Sequence, residues 1–341
     1  MTEHEFVKKC WFLSGATASG KTGVGIELAR RLDAEIVSMD SMALYRHMDI
    51  GTAKPTPEER HQVPHHLIDV IEPHEEYSLA QYIEAARKCV AEIHARGREV
   101  LFVGGTPLYL KGLLRGIFEG PAADEMLREE LAAEAQRGGG EWLHGRLTKV
   151  DPAAAQRLHP NDTRRLIRAI EVFEKTGRPI SQWQEQFDTG LPAEECRVFV
   201  LDWPREELYS RINRRVDRMF AAGLVDEVRG LLKNCGSGIL PVKGTPHGRD
   251  DRAINVEQPS SAVSTPLSKT AGQAVGYREV IEHLRGRHDL EETIELIKMH
   301  TRRFAKRQGT WFRSLSECRF VPLSGEVDGP ETARSIAETG V

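Results

Sequence analysis

The sequence predicts an α/β protein whose doubly wound parallel-sheet core is interrupted by a mostly helical insertion. Three observations carry this. An apolar run, Cys10–Ser14, feeds directly into the glycine-rich stretch Gly15-Ala16-Thr17-Ala18-Ser19-Gly20-Lys21-Thr22, after which helical spacing begins. Further short apolar runs alternate with helical segments along the chain, the order that builds a parallel sheet. Between Ala122 and Trp183 the alternation stops and the pattern becomes nearly all helical.

Each element follows from local pattern. Cys10–Ser14 reads as a buried strand ending in a tight turn. From Gly20 to Leu32, helical spacing puts Val24, Leu28 and Leu32 on one face. Glu35–Met39 and Glu99–Val103 read as a second and a third strand, each followed by polar or glycine turns. In the insertion, Gly138–Gly140 marks a break and Asp151-Pro152 a helix start. Arg197–Leu201 reads as a fourth strand, followed by the helical run Arg205–Ala222. The stretch from Asn234 to about Lys269 is rich in Gly, Pro and Ser and reads as a long flexible loop. Helical pattern resumes from Gln273 to about Gln308. The expected division is therefore a core of residues 1–121 and 190–325, with the loop at 234–269, and an insertion of residues 122–189.

Composition narrows the function classes. The 341 residues suit one large domain or two ordinary ones, and 40% apolar content is enough for a core. A net charge of −4 excludes a uniformly basic nucleic-acid binder, so any nucleic-acid site must be a local basic patch. Cys10, Cys89, Cys196, Cys235 and Cys318 are far apart, with no C-x-x-C pair, so neither a zinc knuckle nor a redox motif is signalled. An odd, scattered set fits a reducing compartment. The N-terminal stretch lacks the apolar segment of a signal peptide. No apolar run approaches the roughly 18 residues of a membrane helix. A soluble cytoplasmic monomer without a membrane partner is the expectation.

The octapeptide Gly15–Thr22 matches G-x-x-x-x-G-K-[ST] between a strand and a helix, the setting of a phosphate-binding loop. Its glycines let backbone amides wrap phosphate oxygens. The helix N-terminus adds its dipole, Lys21 a point charge, and the Thr22 hydroxyl a ligand for Mg²⁺. The core is thus expected to be P-loop NTPase-like, although the loop specifies polyphosphate rather than ATP. A usual NTPase carries an acid at the end of a later apolar strand, whereas Val100–Val103 ends in Gly104-Gly105-Thr106. Some small-molecule kinases also lack that acid, so a kinase stays open, as does a non-catalytic RNA-binding protein with a vestigial loop.

Asp40-Ser41 follows the second strand, and functional groups of a parallel sheet collect at the carboxyl ends of strands. Asp40 is therefore placed beside the phosphate loop, with Thr106 at the next strand end. A carboxylate there could take a proton from a nucleophile or cap a following helix, and position alone leaves both open.

These residues reach a family. Asp40-Ser41-Met42, Tyr45–Pro55, His65–Asp69, Gly104–Tyr109 and His159–Asp162 resemble, in order, the signature of bacterial tRNA dimethylallyltransferases. Ala274–Arg278 and Lys306–Arg313 look the same way. The blocks span about residue 11 to residue 313 and are far more specific than a phosphate loop alone. The resemblance implies transfer of a dimethylallyl group from dimethylallyl diphosphate to the exocyclic amine of the adenosine on the 3′ side of the tRNA anticodon. It implies that Asp40 is the general base, that Thr106 assists at the reacting centre, and that Arg215 contacts the diphosphate held by Gly15–Thr22. It also implies tRNA contacts at Asp40, Ser41, Met42, Ala43 and Thr106, at Arg128, Arg164, Arg165, Leu166, Ile167 and Arg168, and at Gln273, Tyr277, Arg278, Lys306, Arg307, Gln308 and Arg313. Two departures stand out. Ala16 occupies a usual proline position, a mild change to loop stiffness, and the segment around 234–269 looks longer than usual.

The basic segments also have plain readings. Arg164 and Arg168 share a helix face on which Glu171 would be a partner, and the resemblance turns this face toward tRNA. The last helix runs from Glu291, Glu292 and Glu295 to Lys298, Arg302, Arg303, Lys306, Arg307 and Arg313. The helix dipole favours that order, but six cations exceed what the dipole needs, and phosphate-backbone contact explains the surplus. His65-His66 reads as a turn or a tRNA-loop contact, since adjacent residues do not converge on one ion. As side chains, Tyr277, Trp183 and Trp203 read as core or wedge residues rather than stacking platforms.

Overall fold

The computed structural model describes residues 3–118, 120–184, 189–234 and 266–340. Most of the expected 234–269 loop, with Cys235, lies outside the described residues. The chain divides into two compact units, Met1–Leu114 with Leu191–Val341, and Arg115–Gly190. The second unit starts at Arg115 rather than 122, because Phe118 packs on that unit's own apolar cluster.

The first unit opens with α1 (Glu3–Lys9), β1 (Trp11–Gly15), α2 (Lys21–Leu32), β2 (Ala34–Ser38), α3 (Pro57–Gln62), β3 (His65–His66), α4 (Leu79–Ala95), β4 (Glu99–Val103) and α5 (Pro107–Arg115). The second unit holds α6 (Glu125–Val150), α7 (Pro152–Arg157), α8 (Thr163–Thr176) and α9 (Ile180–Gln184). The first unit resumes with β5 (Val198–Asp202), α10 (Arg205–Ala221), α11 (Leu224–Asn234), α12 (Lys269–Gly272), α13 (Tyr277–Leu284), α14 (Leu290–Arg313), β6 (Cys318–Pro322) and α15 (Gly329–Thr339).

Among the described residues the sheet has six strands, all parallel, in the order β3-β2-β4-β1-β5-β6. β1 lies between β4 and β5, where the winding of the sheet reverses. The crevice beside such a reversal, at the carboxyl ends of the strands, is where open α/β sheets bind ligands. It is also where the 15–22 loop emerges. One sheet face buries Leu13, Ile36 and Leu101 against Val24 and Leu28 of α2 and Ala333 and Ile336 of α15. On the other, Phe12 and Phe102 stack with ring centroids 5.0 Å apart, and Phe6 of α1 joins Phe102 at 6.0 Å.

The four expected strands form, each within a residue of its expected bounds. β3 and β6 were not expected. β3 is two residues long, and β6 is an edge strand that mixes Arg319 and Pro322 with alternating exposure, where strand signals are weak. The helical stretch expected from Gln273 to Gln308 is divided. Gly276 is the N-cap that starts α13, which ends at Leu284, and Asp289 starts α14 by accepting the Glu292 amide at 2.8 Å.

In the second unit, Gly139 leaves helical geometry at φ 76°, ψ 172°, a bend only glycine adopts readily. Asp151 caps α7 by accepting the Ala154 amide at 2.9 Å. Among the described residues no helix is long and apolar enough to cross a membrane.

Candidate active site

The ends of β1, β2 and β4 meet at one cavity of about 1210 Å³, whose wall includes residues 17–23, Asp40–Ala43, Gly104–Thr106 and Arg215. The strand ends are pressed together. Ser14 Oγ donates to the Gly104 carbonyl at 2.8 Å. A Cβ on Gly104 would lie 2.0 Å from the Met39 carbonyl oxygen, so only glycine lets β4 end so close to β2.

The phosphate loop folds over the N-terminus of α2. Lys21 turns its ammonium onto the loop, 3.0 Å from the Gly15 carbonyl and 2.8 Å from that of Ala16. Burial, reinforced by the neighbouring Arg215, lowers Lys21 to about 8, while Asp40 pulls the other way. Thr22 stands in the first turn of α2 on the cavity wall. Among the described residues, no group of three His, Cys, Asp or Glu converges to hold a metal by itself.

Asp40 and Thr106 sit side by side on consecutive amides. Asp40 Oδ1 accepts from the Met42 amide at 2.9 Å, and Thr106 Oγ1 accepts from the Ser41 amide at 3.0 Å. Residues 41–44 form a turn and the next helix is α3, so Asp40 caps no helix. Its second oxygen is left for the cavity. Arg215 reaches in from α10, and its Nη2 donates to the Thr52 carbonyl at 3.3 Å. Burial lowers its guanidinium, and the charge of Asp40 opposes that.

Several supporting residues escaped the sequence reading. Arg211 Nε donates to the Ala18 carbonyl at 2.9 Å, and its guanidinium lies 4.2 Å over the Trp203 ring. Trp203, expected as core, is buried and donates from Nε1 to the Ser19 carbonyl at 3.0 Å. The one-face spacing of Arg211, Arg215 and Arg218 was the available signal. Gln308 is 3% exposed. Its Oε1 accepts the Thr17 amide at 2.9 Å and its Nε2 donates to the Gly105 carbonyl at 2.5 Å. The structure thus places Gln308, expected among the tRNA contacts, as a brace between the phosphate loop and the end of β4, on the cavity wall.

The other expected RNA residues divide by environment. Ser41, Met42, Ala43, Thr106, Gln273 and Arg307 line the cavity, and Phe304 lies under Arg307 with 5.9 Å from the guanidinium to the ring. Lys306 is exposed on α14. Arg313 binds Asp202 at 3.0 Å, and Arg278 is held by Glu279 at 2.6 Å. Tyr277 is buried, its hydroxyl donated to Glu227.

In the second unit, Leu166 is fully buried in the apolar cluster and Ile167 packs against it, so as side chains these two are core, not an RNA surface. Helical period forces this, since an apolar stripe must face inward. Arg128 and Arg168 both bind Glu171, which is 0% exposed. The plain reading of this helix makes Glu171 a partner of its arginines; Arg168 does bind it, but Glu171 is buried rather than solvated. Arg164 and Arg165 are exposed, the latter 3.4 Å from Asp162. His66, expected in a turn or RNA contact, binds Glu35 at 2.6 Å beside Arg96 and ties β3 to β2.

A parallel sheet with a phosphate loop at its point of reversal, and a carboxylate and a threonine at neighbouring strand ends, defines a P-loop protein arranged for group transfer. Comparison with known proteins agrees. A family model described as IPP transferase matches residues 43–315. The tRNA dimethylallyltransferase of Geobacter metallireducens is 44% identical over 316 residues, covering 93% of each chain. A solved tRNA isopentenylpyrophosphate transferase from Bacillus halodurans is similar at 37% identity and a TM-score of 0.63, covering 98% of this chain and 97% of that one. A structure described as a eukaryotic dimethylallyltransferase acting on tRNA matches at 26% identity and a TM-score of 0.74, over 96% of this chain and 77% of that one. The chain belongs to the IPP transferase family.

Proposed function

We propose that this protein transfers a dimethylallyl group from dimethylallyl diphosphate to the exocyclic amine of the adenosine 3′-adjacent to the anticodon of tRNA. The observation that carries this reading is the placement of Asp40 and Thr106 on consecutive amides in the same cavity as the phosphate loop and Arg215. The relatives' names support dimethylallyl transfer to tRNA.

The adenine leaves the RNA stack to reach a buried centre, as bases that undergo chemistry do. Its amine nitrogen forms a bond to the first carbon of the isoprenoid as the carbon–oxygen bond breaks, and diphosphate leaves with the electron pair. Asp40 orients the amine and takes its proton. Thr106 holds the adjoining backbone and borders the same space. Lys21, Arg215 and the loop amides neutralise the departing diphosphate, which requires charges fixed in advance. An adenine amine is a weak nucleophile, so positioning supplies much of the acceleration.

The residues fit Mg²⁺. Thr22 offers one hydroxyl beside the phosphate loop, and Mg²⁺ is commonly held by few protein oxygens together with substrate phosphates. When bound, the ion would supply further charge neutralisation on the diphosphate. The exposed Arg164 and Arg165 of the second unit, and Lys306 with Arg307 of α14, would bind the RNA backbone, each in its own unit. The test is nucleoside analysis of tRNA from cells with and without the gene. Loss of the prenylated adenosine in the deletion strain supports the reading, and an unchanged nucleoside profile contradicts it.

A further inference from the structure

Glu227 of α11 lies outside the cavity wall, yet it is committed to one of the segments that form it. Its Oε2 accepts the backbone amides of Asp49 and Ile50 at 2.9 and 2.7 Å, and its Oε1 accepts that of Gly51 at 3.1 Å. The Tyr277 hydroxyl donates to the same Oε1 at 2.6 Å, the fourth hydrogen bond to the carboxylate. Three successive amides converging on one anion form a nest, a motif that prefers a negative charge. The loop lies flat on Tyr277, so that a Cβ at Gly51 would fall 2.5 Å from its ring. The next residue, Thr52, presents its carbonyl to Arg215 at 3.3 Å. Beyond it, Lys54 binds Asp49 at 2.8 Å and Asp69 at 2.7 Å, so the loop is fixed on both sides of Thr52.

We propose that Glu227 is a positioning residue for the diphosphate end of the cavity: by gathering the 49–51 amides it sets the Thr52 carbonyl that aims Arg215. This deepens the function proposed above and rests on it. Glu227 touches no substrate and acts only through the loop. A carboxylate is required because all four partners are donors. A glutamine would turn an N–H toward at least one of them, leaving a donor unpaired.

The test is calorimetric titration of the full chain with inorganic diphosphate, for wild type, E227Q, E227A, R215A and the E227A/R215A double variant, with Tm recorded for each. E227Q and E227A should each weaken diphosphate by about tenfold, the worth of one hydrogen bond to a charged group. With Arg215 already removed, E227A should weaken it no further, since coupled residues are not additive. Unchanged diphosphate affinity in both Glu227 variants, whether or not Tm falls, would overturn the proposal, and so would an additive loss in the double variant. E227Q retains the side-chain volume and serves if E227A does not fold. Wild type that binds diphosphate and prenylates tRNA alongside insensitive Glu227 variants would refute this inference alone. Wild type that does neither would refute the proposed function and this inference with it.

Discussion

Thr106 Oγ1 accepts the Ser41 amide at 3.0 Å, which ties the end of β4 to the residue that follows Asp40. The next amide, Met42, is taken by Asp40 itself at 2.9 Å. One carboxylate oxygen is therefore engaged in holding the turn, and the other is available for a proton.

This division predicts the behaviour of Asp40→Asn. Asparagine keeps an oxygen for the Met42 amide but cannot accept the proton. The single-turnover prenylation rate should fall about 10²–10⁴-fold, the usual worth of a general base. Tm and diphosphate affinity should change little. A near-normal rate at saturating donor and tRNA would remove the general-base role.

Lys21 predicts a pH dependence with a definite sign. Its folded-state value is lowered to about 8, below that of an exposed lysine. Between those two values the unfolded chain binds more protons than the folded one. This lysine's contribution to stability therefore rises with pH through that window, and the unfavourable effect of its burial is fully present below it. Diphosphate binding needs the ammonium, so affinity should fall as pH rises past about 8, and binding near that pH should take up protons. Calorimetry in buffers of different ionisation enthalpy measures the uptake. Binding with no proton uptake, and with flat affinity across this range, would contradict the account.

The second unit predicts a split among neighbours on one helix. Removing the charges of the exposed Arg164 and Arg165 should lower the salt slope of tRNA binding by roughly one for each phosphate that is no longer neutralised. Leu166→Ala should instead destabilise that unit by about 2–5 kcal/mol through a core cavity. Filter binding across salt concentrations and thermal unfolding separate the two. An unchanged slope in the double arginine variant would make that face merely solvated.

Much of the site was legible because it is built from local signals. The phosphate loop, the strand feeding it, and Asp40 and Thr106 at strand ends all follow from short motifs and the geometry of parallel sheets. Residues that brace the site from a distance left no such signal. Gln308 joins Thr17 and Gly105 across 291 and 203 positions of sequence, and nothing in the spacing of a basic helix marks one glutamine as buried. Glu227 was hidden for the same reason, and Trp203, expected as core and found buried, gave no sign of its bond to the Ser19 carbonyl. β6 and α15 went unseen because an edge strand with arginine and proline, and a short helix beyond it, carry weak period, although Ile336 completes the core. The resemblance supplied the roles of Arg128, Leu166 and Arg168 without their environment, and packing moved Leu166 into the core and both arginines onto Glu171.

The most direct measurement is transfer itself. Purified protein is incubated with unmodified tRNA, Mg²⁺ and labelled dimethylallyl diphosphate, and in parallel with labelled ATP. The expected result is label on the adenosine 3′-adjacent to the anticodon, stoichiometric release of diphosphate, loss of both in Lys21→Ala, and no phosphoryl transfer from ATP. Phosphoryl transfer from ATP, with no label entering tRNA from the isoprenoid, would contradict it.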